Sequence, residues 1–296
     1  MLVETSCKSR PTYRAWCAVE SMAQQNPEAK VWYVMTAPAV EARDGLPPRL
    51  LQQYTNLRVV TTDLQRVFSN TPLMPLYTSR AWNMNTEWPV VNLSDMTRLA
   101  LVWRVGGFYS DTDVVCISSL AALRNVVGFQ SDNDINSAVF HFDRHHDITN
   151  LFMTRLSRSF NGSIWGKNGP MLFTQVMKEV CGKPRLTPGD YCGGVSLLSW
   201  KAFYPILPGK WQFAFLPFKR SINFAEISQY TELNDEYNCV STSKGCVFSD
   251  SYVIHMWNKL SHLEPIFKES GSIYDVAAKT FCPVTRAVAT AHSSLY

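Results

Sequence analysis

The triplet Asp111-Thr112-Asp113 sets two carboxylates one residue apart inside an otherwise apolar run, residues 108–117. Read as a strand, that run points Tyr109, Asp111 and Asp113 to one face, because alternate side chains share a face. Two carboxylates that close repel each other and do not both ionise without a cation. Keeping them beside apolar neighbours is costly unless something divalent lies between them. Hard oxygen donors suit Mn2+ or Mg2+, which keep open positions for the oxygens of a diphosphate. Upstream, Asp95 and Arg98 stand three residues apart, the spacing that brings an acid and a base together on one helix face. An isolated pair of that kind is ordinarily an exposed contact contributing about 0.3 kcal/mol. His255 ends the apolar run Tyr252-Val253-Ile254, where a histidine taken alone is a core residue more often than a ligand.

The elements that must position these groups can be read from periodicity. Leu2-Val3 opens as a short strand, and a helix follows Pro11 with Trp16, Val19 and Ala23 on one buried face. Residues 31–35 and 57–61 read as buried strands, so strand, helix and strand alternate as in a parallel α/β sheet. Residues 70–89 carry three prolines without a clean period and are expected to run as a long excursion over the sheet. Ser94 is a natural cap for a helix whose apolar stripe is Met96, Leu99 and Trp103, and Gly106 can take its left-handed end. Asn136 falls at the turn before a strand over 138–142, and Gly169-Pro170 starts another helix with free N–H groups. His145-His146 belongs to a solvated turn and receives no role.

Composition narrows the function classes. With 46% hydrophobic and 18% charged residues, the 296-residue chain is neither disordered nor fibrous. A net charge of +4 without a basic run argues against nucleic acid as the main ligand. No apolar stretch reaches the roughly 18 residues a membrane helix needs. Eight cysteines occur without a CxxC or a zinc-spaced cluster, so a structural metal site is not expected. Cys181/Cys192 and Cys239/Cys246 flank loop-like stretches and can pair, which favours an oxidising lumen over buried free thiols. Asn92-Leu93-Ser94 and Asn161-Gly162-Ser163 fit the glycosylation sequon.

Taken together, Ser94-Asp95-Met96-Thr97-Arg98, Gly106-Gly107-Phe108-Tyr109 and Asp111-Thr112-Asp113 resemble the core of GT-A glycosyltransferases. More narrowly they resemble the α1,4-glycosyltransferase family of the DXD sugar-transfer superfamily. Glu4-Thr5-Ser6, Cys17-Ala18-Val19-Glu20-Ser21, Ile164-Trp165-Gly166-Lys167-Asn168-Gly169-Pro170, Phe203-Tyr204-Pro205-Ile206, His255-Met256-Trp257-Asn258-Lys259 and Phe281-Cys282-Pro283 extend the likeness along nearly the whole chain. Ser110, Ser137 and Asn168 depart from the family pattern, the last two beside the expected sugar pocket.

The resemblance implies a single α/β domain over 1–296, with a GT-A-type, Rossmann-like mixed sheet flanked by helices. Residues 1–117 would mainly bind nucleotide-sugar and metal, and 118–296 would supply the acceptor side and a closing C-terminal motif. It implies Mn2+ or Mg2+ on Asp111, Asp113 and His255, and uracil and ribose bracketed by Glu4, Thr5, Ser6 and Tyr109. Asp95 and Arg98 would contact the donor sugar, with Asn136 and Gly169 beside it, and Trp257 and Asn258 would close over the diphosphate. The implied reaction is retaining transfer of galactose or N-acetylgalactosamine, less expectedly N-acetylglucosamine, from a UDP-sugar to a galactose-type acceptor in α1,4 linkage. Glycosphingolipid synthesis is the implied setting. Family members are Golgi enzymes held by an N-terminal membrane helix, so this chain is expected to be the lumenal catalytic part or an incomplete copy. Two rivals use the same triplet or none of its chemistry: a haloacid-dehalogenase-like phosphatase with Asp111 in its nucleophile loop, and a non-catalytic sugar-binding module.

Overall fold

Strand β1 (Leu2–Glu4) lies between two parallel neighbours, β2 (Val31–Met35) on one side and β4 (Gly107–Ser110) on the other. The computed structural model describes residues 1–42, 44–84, 86–217 and 248–291. Helix α1 (Tyr13–Gln25) crosses from β1 to β2 and buries Trp16, Val19 and Ala23, the face its spacing predicts. Helix α2 (Leu46–Gln53) crosses from β2 to β3 (Leu57–Thr61), which pairs parallel with β2 along its whole length. Beyond β4 the chain folds back: β7 (Ile135–Phe142) is antiparallel to both β4 and β6 (Val126–Phe129), and β9 (Val195–Leu198) is parallel to β6. With β8 (Tyr191–Cys192) at the edge, the strand order is β3-β2-β1-β4-β7-β6-β9-β8, a mixed sheet.

Period-two alternation divides the core between the two faces. Val3, Val34, Val127 and Phe140 join Phe152 and Phe173 on one side, while Leu2, Tyr33, Val126 and Val139 join Trp16 and Leu50 on the other. Helices α5 (Pro89–Val105), α6 (Asp147–Ser159) and α7 (Pro170–Cys181) cover the first face; α1 and α2 cover the second.

Four local expectations are corrected. Residues 70–89 are not an irregular excursion, since α3 (Leu64–Phe68) is followed by α4 (Met74–Ser79) and a 3-10 turn at Ala81–Asn83. Helix α5 starts at Pro89, whose fixed φ suits a first helical position, so Ser94 lies inside the helix and is not its cap. Gly106, at φ +72°, does end it. Residues 108–117 do not form one strand: β4 stops at Ser110 and β5 (Val114–Cys116) leaves the main sheet to pair with β10 (Val253–His255). Asn136 lies within β7, beside the register shift opposite Val127 and Gly128.

The end of the described chain is tied back to its beginning. Beyond α8 (Asn258–Ser261), helices α9 (Ile273–Phe281) and α10 (Pro283–Ala289) pack on α1. Cys17 and Cys282 form a disulfide with Cα atoms 5.0 Å apart. Buried Glu20 accepts N–H bonds from Val284 (2.9 Å) and Thr285 (2.7 Å) and caps the start of α10. Cys181 and Cys192 are also bridged, as their spacing predicts; the Cys239/Cys246 pair lies outside the described residues. Among the described residues, Cys7 is a free exposed thiol and Cys116 a free buried one, and no helix is long and apolar enough to cross a membrane. Asn92 is buried, its side-chain amide donating to Trp82 and Thr86, so the folded chain does not present it for glycosylation.

Candidate active site

The break between β4 and β5 puts Asp111-Thr112-Asp113 at the carboxyl end of a central strand, the edge of an open α/β sheet where ligands bind. The antiparallel pairing of β5 with β10 sets His255 opposite Val114. Ligand atoms of Asp111, Asp113 and His255 consequently lie within 4.8 Å of one another. His255 Nε2 is 3.4 Å from Asp113 Oδ1. Asp113 is fixed through its other oxygen by the Asn258 N–H (2.8 Å) and through its carbonyl by the Met256 N–H (2.8 Å). Two carboxylates and an imidazole form an oxygen-and-nitrogen donor set that fits a divalent cation.

Behind this cluster lies a buried charge bridge. Arg98, 4% exposed, reaches Asp95 Oδ1 at 3.3 Å and Asp111 Oδ1 at 3.2 Å from the same nitrogen. Its other contacts are the Ser137 carbonyl (2.7 Å) and the Ser94 hydroxyl (3.0 Å), and its guanidinium lies 4.7 Å from the Tyr109 ring centre. Burial works against the Arg98 charge, but Asp111, Tyr109 and Asp95 outweigh it and raise its pKa above the ordinary value. Asp95, 6% exposed, is pushed up to about 6, chiefly by burial, with Arg98 opposing and Asp111 adding to the shift. Burial likewise raises Asp111, against the pull of Arg98. Gly169 closes on the pair from α7: a Cβ there would sit 2.7 Å from Ser137 Oγ and 3.1 Å from Asp95 Oδ1. Only a glycine permits that approach.

Other residues singled out from the sequence have less direct positions. Glu4, Thr5 and Ser6 follow β1 at the same sheet edge; Glu4 accepts the Ser6 N–H (2.8 Å) and Thr5 donates to the Val90 carbonyl (3.1 Å). Tyr109 is enclosed at the end of β4. It is 1% exposed, stacks on Phe140 and donates its hydroxyl to Asp111 (2.5 Å), so it holds the carboxylate. Arg98 is enclosed as well, between Asp95, Asp111 and the Ser94 and Ser137 oxygens. Trp257 is buried against Tyr204 and His255, and its indole N–H donates to the Ile206 carbonyl (2.7 Å). Its φ of +53°, unusual for a bulky residue, turns the chain so that the Asn258 N–H reaches Asp113. The Asn136 side chain is held by Gln130 (2.6 Å) and the Ala138 N–H (2.8 Å). Asn168 is buried and bonded to Asn92 and Asn161, which ties the preceding loop to α5. Sequence reasoning missed the structural parts of Ser94, Ser137 and Tyr204, whose hydroxyl accepts the Val139 N–H at 3.2 Å. Their bland residue types carry no signal before the tertiary contacts are known.

The chain matches the glycosyltransferase sugar-binding region containing the DXD motif over residues 12–134, and the alpha 1,4-glycosyltransferase conserved region over 141–289. It is 33% identical to lactosylceramide 4-alpha-galactosyltransferase of Gorilla gorilla gorilla, an alignment spanning 96% of this chain and 81% of that protein. The Homo sapiens protein of the same name is 32% identical over 96% of this chain and 75% of its own length. Homo sapiens alpha-1,4-N-acetylglucosaminyltransferase is 25% identical over 96% and 78%, respectively. These matches overturn the phosphatase alternative, since Asp111-Thr112-Asp113 falls inside the sugar-binding region, and they leave no support for a binding module without turnover. With its mixed sheet and its acidic strand end, the chain belongs to the alpha 1,4-glycosyltransferase family and is a UDP-sugar-dependent hexosyltransferase.

Proposed function

We propose that this chain transfers galactose or N-acetylgalactosamine, in preference to N-acetylglucosamine, from a UDP-sugar to a galactose-type acceptor in α1,4 linkage with retention. The observation that carries the reading is the convergence of Asp111, Asp113 and His255 beside the Asp95–Arg98 bridge. The known activity of the relatives adds to it, because lactosylceramide ends in galactose.

Asp111, Asp113 and His255 would hold Mn2+ or Mg2+. Such an ion, when bound, neutralises the charge growing on departing UDP. Glu4, Thr5 and Ser6, at the neighbouring strand end, face the nucleoside part of the donor. Tyr109 and Arg98 fix the direction of Asp111, and Arg98 also keeps Asp95 beside Gly169, where one carboxylate oxygen can accept from a sugar hydroxyl. Asp95 is buried and ion-paired, which is unlike a nucleophile presented to an anomeric carbon. Same-face attack follows, with the departing phosphate taking the acceptor proton. Asn258, exposed next to Asp113, borders the leaving group.

In this reading residues 1–117 supply most of the donor side and 118–296 the acceptor side, with His255 crossing between them. The two disulfides support an oxidising compartment, the Golgi lumen, where a membrane-held enzyme meets glycosphingolipids. A screen of UDP-sugars with a lactose-terminated glycolipid tests the proposal. Transfer from UDP-galactose or UDP-N-acetylgalactosamine, with an α1,4 bond in the product, is the expected result. Transfer only from UDP-N-acetylglucosamine, or a product with another linkage, would overturn it.

A further inference from the structure

Three chain segments that meet at the candidate site also carry an aromatic pair that its chemistry has not used. Trp88 immediately precedes α5, Trp165 lies in the loop before α7, and Lys259 follows Asn258. The two indoles meet edge to face with centres 5.3 Å apart, and the Lys259 ammonium lies 5.5 Å from one and 4.7 Å from the other. Trp165 is nonetheless 43% exposed, and its neighbour Ile164 is exposed as well. A large aromatic surface kept in water is unfavourable for folding alone, and Trp88 and Lys259 both hold its orientation here.

Two of the three segments tie the cluster to the reacting groups. Lys259 adjoins the residue whose N–H holds Asp113. Trp165 precedes Gly169, where an added Cβ would meet Asp95, by four residues, a span of at most about 15 Å. The intervening loop is pinned to α5, because Asn168 bonds Asn92 and Thr86 donates to the Gly162 carbonyl. The rings therefore stand at a fixed distance from the acids, as a platform and not as a loose loop.

We infer that Trp88, Trp165 and Lys259 form an acceptor subsite on which a galactose-type sugar stacks. Galactose has an axial 4-hydroxyl, which leaves its C–H groups gathered on one apolar face that matches an indole ring. The opposite edge of the sugar is rich in hydroxyls, and Lys259, whose ammonium lies 4.7 Å from the Trp165 ring centre, supplies donors for their oxygens. A charged lipid headgroup would also be drawn to Lys259, but it has no apolar face to cover Trp165. The inference rests on the proposed acceptor class and adds the residues that would recognise it.

The test compares wild type, Trp165→Ala, Trp165→Phe and Lys259→Met on a lactose-terminated acceptor, with UDP-sugar hydrolysis in the absence of acceptor measured in parallel. Trp165→Ala is expected to raise acceptor KM at least tenfold, with the donor KM, the hydrolysis rate and the melting temperature unchanged. Trp165→Phe should recover most of that loss, and Lys259→Met should raise acceptor KM by a smaller factor. If wild type transfers to the acceptor and Trp165→Ala keeps its KM, or loses donor hydrolysis in step, the platform is refuted while the proposed function stands. If wild type hydrolyses donor but neither binds nor transfers to any galactose-terminated glycan, both are refuted.

Discussion

At the level of single residues, the site separates groups that face a ligand from groups that aim them. Asp111→Asn or Asp113→Asn removes a ligand charge at constant volume. Either change should lower transfer by at least about a hundredfold and abolish metal-dependent UDP binding. Thermal melts of both variants should remain cooperative, and full wild-type activity in chelator would contradict the assignment. Asp95→Asn and Arg98→Met are expected to differ in kind. The first should leave UDP affinity nearly unchanged and reduce turnover roughly ten- to two-hundredfold, the worth of a charged hydrogen bond. The second leaves the buried Asp95 and the half-buried Asp111 without their shared cation, so it should also destabilise the fold by about 3 kcal/mol. Kinetics and denaturant midpoints on the same preparations separate the two. Asp111 and Asp113 were legible as candidates because few other roles suit paired carboxylates at a strand end, whereas His255 became one only through the family resemblance. The aiming roles of Arg98 and Tyr109 were not, because residue type does not reveal whether a guanidinium or a phenol is enclosed by its neighbours.

At the level of elements, β2, β3 and α1 appear where their periodicity puts them, since each buries a regular face in a continuous sheet. The departure of β5 from the main sheet was not readable, because its partner β10 is far away in sequence and the apolar run continues across the break. Strand β7 offers a separate test through His141. Its Nδ1 accepts the Asn125 N–H at 3.0 Å, and its ring meets Phe108 edge to face. Burial, helped by Arg124, lowers its pKa from 6.5 to about 4, with Asp143 opposing. The unfolded chain therefore takes up the proton first as pH falls, and this contribution to stability is lost between pH 6.5 and about 4. His141→Gln should make the folded state less sensitive to acid over that window, read as a shallower change of the denaturant midpoint with pH. An unchanged slope would show that His141 does not titrate there.

At the level of the whole molecule, the Cys17–Cys282 bridge and the Glu20 cap join the last described helices to the first. Neither was legible, because the two cysteines are 265 residues apart and a glutamate on a buried helix face gives no hint of its distant N–H partners. Cys17→Ser with Cys282→Ser should cost about 2–5 kcal/mol and lower the melting temperature of the oxidised protein. Under reducing conditions wild type should approach the double variant, and a difference that survives reduction would point to packing in place of the bond. The pairing of β10 with β5 has a further consequence during synthesis. A polypeptide leaving the ribosome exposes Asp111 and Asp113 first, and His255 follows only after about 140 more residues. On the proposed reading, a nascent or prematurely terminated chain cannot cleave a sugar nucleotide, and an interrupted translation product is silent instead of wasteful.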